Sequence, residues 1–434
     1  MKTGHKTFFS NWLWIVLLLP GSLQAQYQKT YQESLAPAST LSIHHQRGEL
    51  QVLPSQNNQV RYELKVSFDA KNQEDADRVL EAIKLDTRSS GNRLSITTET
   101  GIKNMQTVNG RSSITLENGT KIRGVKDLEL NLVVYTPRLQ ELVIEDKYND
   151  IEVADDLTTN LNAKLYSSEA NIGRISGSLT LDAKYTEMDF QSLGDADLTI
   201  YDCEITMKGA GAIKLTSKYS EIRGTTAASL EADMYDDDME MDRVEGTVSI
   251  TDKYSEIMIK ACGNTRLDLY DSEISMAEVG NMNIKSKYTE FNLGRAYVID
   301  FDVSYDDDLE VESATSLTAD NSKYTTFVID ELTSKLILES YDDEVKINRL
   351  GSKFEALSFN GKYTDLMIGI PGSFAYQIDM STKYGDIQVD EDGFDFTRWV
   401  EKNGEIEAIG KTKNAGTQSP KFTIRGYDNN IRIN

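Results

Sequence analysis

Between Tyr148 and Tyr341 the chain repeats one short phrase in two alternating forms, spaced by about 17 or 18 residues. Lys-Tyr-(Ser/Thr)-acid recurs at Tyr185, Tyr219, Tyr254 and Tyr288, with the variants Lys-Tyr-Asn-Asp at Tyr148 and Lys-Tyr-Thr-Thr at Tyr324. A Tyr-(Asp/Ser)-x-acid form alternates with them at Tyr166, Tyr201, Tyr235, Tyr270, Tyr305 and Tyr341, preceded by an apolar residue at the first four and by serine at the last two. A fixed period this short marks a stack of similar units, each burying its apolar face only against its neighbours.

The tyrosine is not the constant element, because its distance to the next apolar residue differs between the two forms. The apolar frame is constant. Leu181 and Met188, Leu198 and Ile205, Leu215 and Ile222, Ile250 and Ile257, and Leu267 and Ile274 are all seven residues apart. Two short period-2 strands therefore flank a corner of fixed length, with pairs such as Leu179/Leu181 and Met188/Phe190 pointing inward. A third apolar row follows at Ile175, Leu193, Ala210, Val244, Cys262, Val279, Ala296, Ala314, Leu332 and Leu350. The same frame fits Ile43 to Leu50, Phe359 to Leu366, Met380 to Ile387 and Ile424 to Ile431. The predicted fold is an all-β, single-stranded parallel β-solenoid (β-helix) with a two-coil repeat of about 35 residues. Parallel crossover chirality favours right-handed winding.

On this frame the tyrosine moves one place between successive coils. One surface row then alternates Lys184, Tyr201, Lys218, Tyr235, Lys253, Tyr270, Lys287, Tyr305, and the next alternates Tyr185, Tyr219, Tyr254 and Tyr288 with aspartates. A lysine between rings is expected to gain cation–π attraction, where a lysine row at strand spacing would repel itself. Asp202, Asp236, Asp271, Asp306 and Asp342 are expected to lie diagonal to those lysines. A further row is acidic: Glu187, Glu204, Glu221, Asp238, Glu256, Glu273, Glu290 and Asp308. The main expectation is a hydrated edge with no bound metal. A row of hard cations on oxygen ligands is the sharper alternative, although no Asp-x-(Asp/Asn)-x-(Asp/Asn)-Gly calcium loop occurs.

Residues 1–25 carry Lys2 and Lys6, an apolar run from Trp12 to Leu19, then Pro20, Gly21 and Leu23-Gln24-Ala25. This has the form of a cleavable secretory signal, too short in its apolar run to span a bilayer comfortably. No second long apolar stretch follows, so no transmembrane segment is expected after cleavage. The whole chain has 46 basic and 70 acidic residues, which makes nucleic acid and anionic membrane poor partners. Cys262 reads as a core position and Cys203 as a more exposed corner thiol. They fall in different rows, so no disulfide between them is expected. No histidine follows His45, no cofactor motif is present, and no catalytic residue is assigned.

Residues 26–140 are less regular and read as an N-terminal cap. A helix over 72–85 is expected, capped by Asn72, with Ala76, Val79, Leu80 and Ile83 at helical spacing. Asn109-Gly110 and Asn118-Gly119 suggest hairpins or a mobile loop. Regular coils should occupy 141–392, with a C-terminal cap and final strands over 393–434.

The turns Arg47-Gly48-Glu49-Leu50, Tyr148-Asn149-Asp150-Ile151, Tyr384-Gly385-Asp386-Ile387 and Tyr427-Asp428-Asn429-Asn430-Ile431, with Leu130 to Arg138 ending Val-Tyr-Thr-Pro-Arg, carry a family likeness. The chain resembles the bacterial DUF4097-type adhesin and β-strand-repeat family and its relatives with a GIN-type head. That resemblance implies a secreted or envelope-associated β-solenoid, in the periplasm, at the outer surface or outside the cell, and brings no catalytic residues. The expected function is a non-enzymatic, adhesin-like scaffold that presents its tyrosine, lysine and acid rows to a protein or glycan. A polysaccharide lyase or hydrolase on a solenoid groove is the alternative. A membrane β-barrel is disfavoured because the strands look too short.

Overall fold

The computed structural model describes residues 25–108 and 111–434; residues 1–24 of the proposed signal and Asn109-Gly110 lie outside them. Successive coils stack as parallel strands in the register that the apolar frame requires. Leu181 pairs with Leu198 and Leu198 with Leu215, while Met188, Ile205 and Ile222 form the matching row across the corner. All six are buried in one continuous core. The third row also aligns, from Ala227 through Val244, Cys262, Val279, Ala296, Ala314 and Leu332 to Leu350. The protein is a parallel β-solenoid with one α-helix among the described residues.

The seven-residue frame carries a parity problem. Side chains alternate faces along a strand, so an odd spacing would send Met188 outward if Leu181 points inward. One residue per coil must fall out of phase, and the backbone shows which. Tyr185, Asp202, Tyr219, Asp236, Tyr254 and Asp271 all have φ between 52° and 69°, the left-handed region that L-residues enter only at some cost. Each adds a second consecutive outward residue at the corner and returns the next side chain to the interior.

Strands are longer than expected along part of the stack. Glu290–Tyr305, Asp308–Lys323 and Thr326–Tyr341 each run 16 residues, because pairing carries on past the third row, with a register shift at Ala314/Ser316 between the last two. Strand length therefore does not argue against a barrel. Parallel pairing around a filled core does, since membrane barrels are antiparallel.

At both ends the chain leaves stack order. Thr40–Pro54 forms a first coil directly on Leu139–Val153, so residues 55–138 are an insertion between adjacent coils. That insertion covers the open end. Arg93–Glu99 and Lys126–Thr136 pair with the two halves of the first coil, and Val60–Ala70, Lys84–Ser90 and Ala25–Leu35 extend these layers antiparallel. The helix runs Gln73–Ala82, with the Asn72 side chain accepting from the Asp75 amide at 2.8 Å and Ala76 and Val79 buried. Ile102–Val108, Arg111–Leu116 and Lys121–Arg123 form an antiparallel meander, confirming the hairpin reading.

At the other end, Lys421–Tyr427 and Asn430–Ile433 insert between Ala356–Lys362/Asp365–Ile368 on one side and Gln377–Lys383/Asp386–Gln388 on the other. The last strands of the chain are thus not the last layer. The antiparallel pair Glu405–Thr412 and Phe394–Lys402 closes this end.

Candidate functional site: the tyrosine corner

The corner rows align as the sequence frame demands: Lys184 pairs with Tyr201, Tyr201 with Lys218, Tyr235 with Lys253 and Tyr270 with Lys287. The rings make a different set of contacts from those expected. Tyr148, Tyr166, Tyr185, Tyr201, Tyr219, Tyr235, Tyr254, Tyr270, Tyr288, Tyr305, Tyr324, Tyr341, Tyr363, Tyr427 and Tyr384 form one edge-to-face ladder. Its centroid distances are 5.4–5.9 Å and its interplanar angles 77–89°. A single straight row would place rings face to face at strand spacing, the less favourable arrangement. Shifting alternate rings by one residue allows the T-shaped contact, worth about 0.5–1.5 kcal/mol beyond burial.

Two expectations are corrected here. Among the described residues, only Lys218, Lys362 and Lys383 sit over ladder rings, at 4.7–5.8 Å, so ring–ring packing rather than cation–π contact organises the corner. Nor do Lys184, Lys218, Lys253, Lys287 or Lys323 form ion pairs with the corner aspartates; the lysines that are paired, such as Lys260 with Asp242, lie on other rows. These lysines are exposed at the corner.

The tyrosines in the left-handed position protrude most. Tyr185, Tyr219, Tyr254 and Tyr288 are 44–46% exposed. Contact with neighbouring rings desolvates their phenols and, with repulsion from adjacent phenols and a corner aspartate, raises their pKa above the ordinary value.

Behind the ladder, sequence reading missed a buried polar seam. The residue after each left-handed position points inward: Ser168, Thr186, Cys203, Ser220, Asp237, Ser255, Ser272, Thr289, Asp307, Thr325, Asp343 and Thr364. Hydroxyls in this row close the turn, as when Thr186 Oγ1 donates to the Lys184 carbonyl at 2.9 Å. Where aspartate takes the place, the carboxylate gathers donors. Asp307 accepts from Ser286 and Ser304 at 2.7 Å, from the Thr289 amide at 2.9 Å and from the Tyr305 amide at 3.1 Å. Burial still pushes Asp237, Asp307 and Asp343 upward in pKa, against the lowering by these bonds. The available signal was a small polar residue at a fixed place in every corner.

Cys203 belongs to this seam and is buried, not exposed as expected; its Sγ lies 3.3 Å from the Tyr201 carbonyl. Cys262 is only partly buried, and both thiols are free.

The acid row runs outside the seam, with Glu187 beside Glu204, Glu221 and Asp238, then Glu256, Glu273, Glu290 and Asp308. Arg223 pairs with Glu204 and Glu221. Glu187, Asp238, Glu256, Glu273 and Asp308 have no ion pair among the described residues. No group of three or more His, Cys, Asp or Glu side chains among the described residues converges as a metal site would. Between the tyrosines and the acids lies an open groove of about 900 Å³, lined by Tyr185, Tyr219 and Tyr254, by Asp202 and Asp236, and by Glu187, Glu204, Glu221, Asp238 and Glu256.

At the N-terminal end, His45 and Asp146 are stacked partners in the first two coils. The His45 ring bonds the Leu130 carbonyl at 2.8 Å and Thr98 Oγ1 at 2.6 Å, which ties the insertion to the first coil. Burial drives its pKa down to about 4 and that of Asp146 up to about 7. Gly48 closes this junction: its φ is +131°, and a Cβ there would lie 2.3 Å from the Leu130 carbonyl oxygen.

No protein-family model matches the chain, and no curated protein matches it. Solved structures similar to it include a candidate adhesin of Bacteroides fragilis, 13% identical, with a TM-score of 0.25, covering 62% of this chain and 96% of its own. A candidate cell adhesion protein of Clostridium sporogenes is 10% identical, with a TM-score of 0.18 and coverage of 94% and 99%. A candidate lipid binding protein of Parabacteroides distasonis is 11% identical, with a TM-score of 0.23 and coverage of 68% and 96%. Superposition this loose says nothing about what the present chain binds.

Proposed function

We propose that this chain is a non-enzymatic, adhesin-like scaffold of the DUF4097 type, exported after loss of residues 1–25, whose tyrosine corner contacts a protein or glycan. The observation that carries this reading is the continuous ladder of half-exposed rings along one edge of the rod. Aromatic side chains with a solvent-facing polar end are suited to recognition, and a rigid solenoid presents them in fixed register. Carboxylates recur in coil after coil of the ladder without a local cluster of opposite charge, which suits a repetitive contact surface better than a single catalytic centre.

The test is a glycan array and a pull-down from envelope and extracellular fractions, using the chain from Gln26 onward and its Tyr219→Ser/Tyr254→Ser variant. Binding that the variant loses is expected. Binding that is unchanged in the variant removes the tyrosine corner as the contact surface.

A further inference from the structure

We propose that the occupant of the tyrosine-walled groove is a linear, β-linked polymer of cationic amino sugars lying parallel to the long axis of the rod. This rests on the reading above and narrows its ligand. Three observations carry it. First, the groove is open and continuous from Tyr185 to Glu256, so it suits an extended chain rather than a compact molecule. Second, the rings that protrude recur every second coil, because only the left-handed position raises them. Coils stack at strand spacing, which puts these rings roughly 9.6 Å apart, close to the advance of one disaccharide in an extended β-linked hexose chain.

Third, the exposed charge has a definite density. Across the two coils of Lys253-Tyr254-Ser255-Glu256 and Tyr270-Asp271-Ser272-Glu273, one lysine faces three outward carboxylates, none of them in an ion pair among the described residues. These coils therefore carry about one uncompensated negative charge each, and Arg223 lowers that density beside Glu204 and Glu221. A deacetylated hexosamine polymer carries one ammonium per sugar, and each sugar advances by about one coil height. An extended oligolysine is less well matched, since successive residues advance by only about 3.4 Å and their side chains alternate direction. Apolar sugar faces and ammonium groups both favour aromatic rings, and the acid row lowers the potential along the path of the polymer.

The experiment measures binding calorimetrically at mildly acidic pH, with the chain from Gln26 onward. The probes are a fully deacetylated hexosamine oligomer, its N-acetylated counterpart and oligolysine of equal charge. The deacetylated oligomer should bind at least about tenfold more tightly than either alternative and weaken as salt is added. Tyr219→Ser/Tyr254→Ser should reduce its affinity about tenfold. The isosteric, exposed Asp238→Asn/Glu256→Gln variant should do the same without altering the melting temperature. Equal binding of the N-acetylated oligomer overturns the cationic assignment while leaving the glycan-contact reading intact. Equal binding of oligolysine overturns the sugar assignment. No binding of any probe overturns this inference, whereas the broader reading falls only if the array and pull-down also find no tyrosine-dependent partner.

Discussion

Through the middle of the rod, coils follow one another in chain order, whereas at the C-terminal end they do not. From Tyr148 to Tyr363 each coil lies on its predecessor. Beyond that, the coil holding Tyr427-Asp428 lies between those holding Lys362-Tyr363 and Lys383-Tyr384. In chain order two Lys-Tyr corners would be neighbours. In the stack, Tyr427 falls between Lys362 and Lys383, Asp428 falls between Tyr363 and Tyr384, and the ladder continues unbroken. Alternation is therefore a rule of spatial contact that chain order merely follows in the middle. It also discriminates between assemblies, since stacking the two Lys-Tyr coils directly would juxtapose like charges and like rings.

The strongest way to break this comparison is to reverse the phase of the inserted coil. Tyr427→Lys with Asp428→Tyr sets three lysines in one row and three tyrosines in the next, and removes two edge-to-face contacts. The expected loss is roughly 3 kcal/mol, from ring contacts and cross-strand repulsion together. It should be localised: hydrogen exchange should quicken in Lys421–Tyr427 and Gln377–Lys383 while the coils around Tyr254 stay protected. Uniform protection would mean that alternation does not specify the order of the layers.

The second test separates the seam from the surface. Asp307→Ala leaves the Ser286 and Ser304 hydroxyls and the Thr289 and Tyr305 amides short of an acceptor. The expected cost is about 2–3 kcal/mol in chemical denaturation. The adjacent exposed Asp306→Ala should cost under about 1 kcal/mol, mainly through the left-handed backbone. Equal costs would deny the seam a structural role.

A third test uses pH, and the N-terminal junction supplies the sign. Asp146 has a raised folded pKa, so its contribution is full below the unfolded value near 4 and is lost as pH rises through about 7. His45 has a lowered one, so its contribution is full above about 6.5 and is lost as pH falls toward 4. The two oppose each other between those values. Above pH 6.5 only the Asp146 side of the pair still titrates, and stability should fall toward pH 8. Asp146→Asn should flatten that fall, by somewhat under about 1 kcal/mol; an unchanged slope between pH 6.5 and 8 would dismiss the site as its source.

Much of the fold was legible because a parallel stack converts sequence period directly into spatial rows. Leu181, Leu198 and Leu215 line up because each coil has the same length, so the frame alone predicts the pairing. What was not legible depends on backbone state or on the order of layers. The odd spacing from Leu181 to Met188 already required one residue out of phase, but Tyr185 is a poor advertisement for a left-handed position; the alternating Asp202 and Asp236 are better ones. The inward turn of Asp237 was hidden between two outward acids, Asp236 and Asp238, and only the backbone at Asp236 separates them. The insertion of Lys421–Ile433 between earlier coils leaves no mark except the preserved alternation of Tyr363, Asp428 and Tyr384.

The smallest effect sharpens the comparison most finely, because it distinguishes a ladder from a set of independent tyrosines. Tyr254 touches Tyr235 and Tyr270, at 5.4 and 5.7 Å, whereas Tyr384 ends the ladder with one ring neighbour, Tyr427, at 5.6 Å, and Lys383 over its face at 5.0 Å. Both occupy the left-handed position, with φ of 69° and 62°. The backbone cost of replacing the residue is therefore shared and cancels in the difference. If edge-to-face packing is what holds the row, Tyr254→Ala should cost roughly 0.5 kcal/mol more than Tyr384→Ala in matched denaturation experiments, the value of one extra ring contact less the Lys383 contact that Tyr384 loses. The double substitution should be additive, since the two positions share no ring. Replacing Tyr254 with Phe keeps both contacts and should restore most of the loss. A phenylalanine that fails to do so would shift the stabilisation from the ring to the phenol hydroxyl, and the regular middle would then owe its order to solvent contacts rather than to its neighbours.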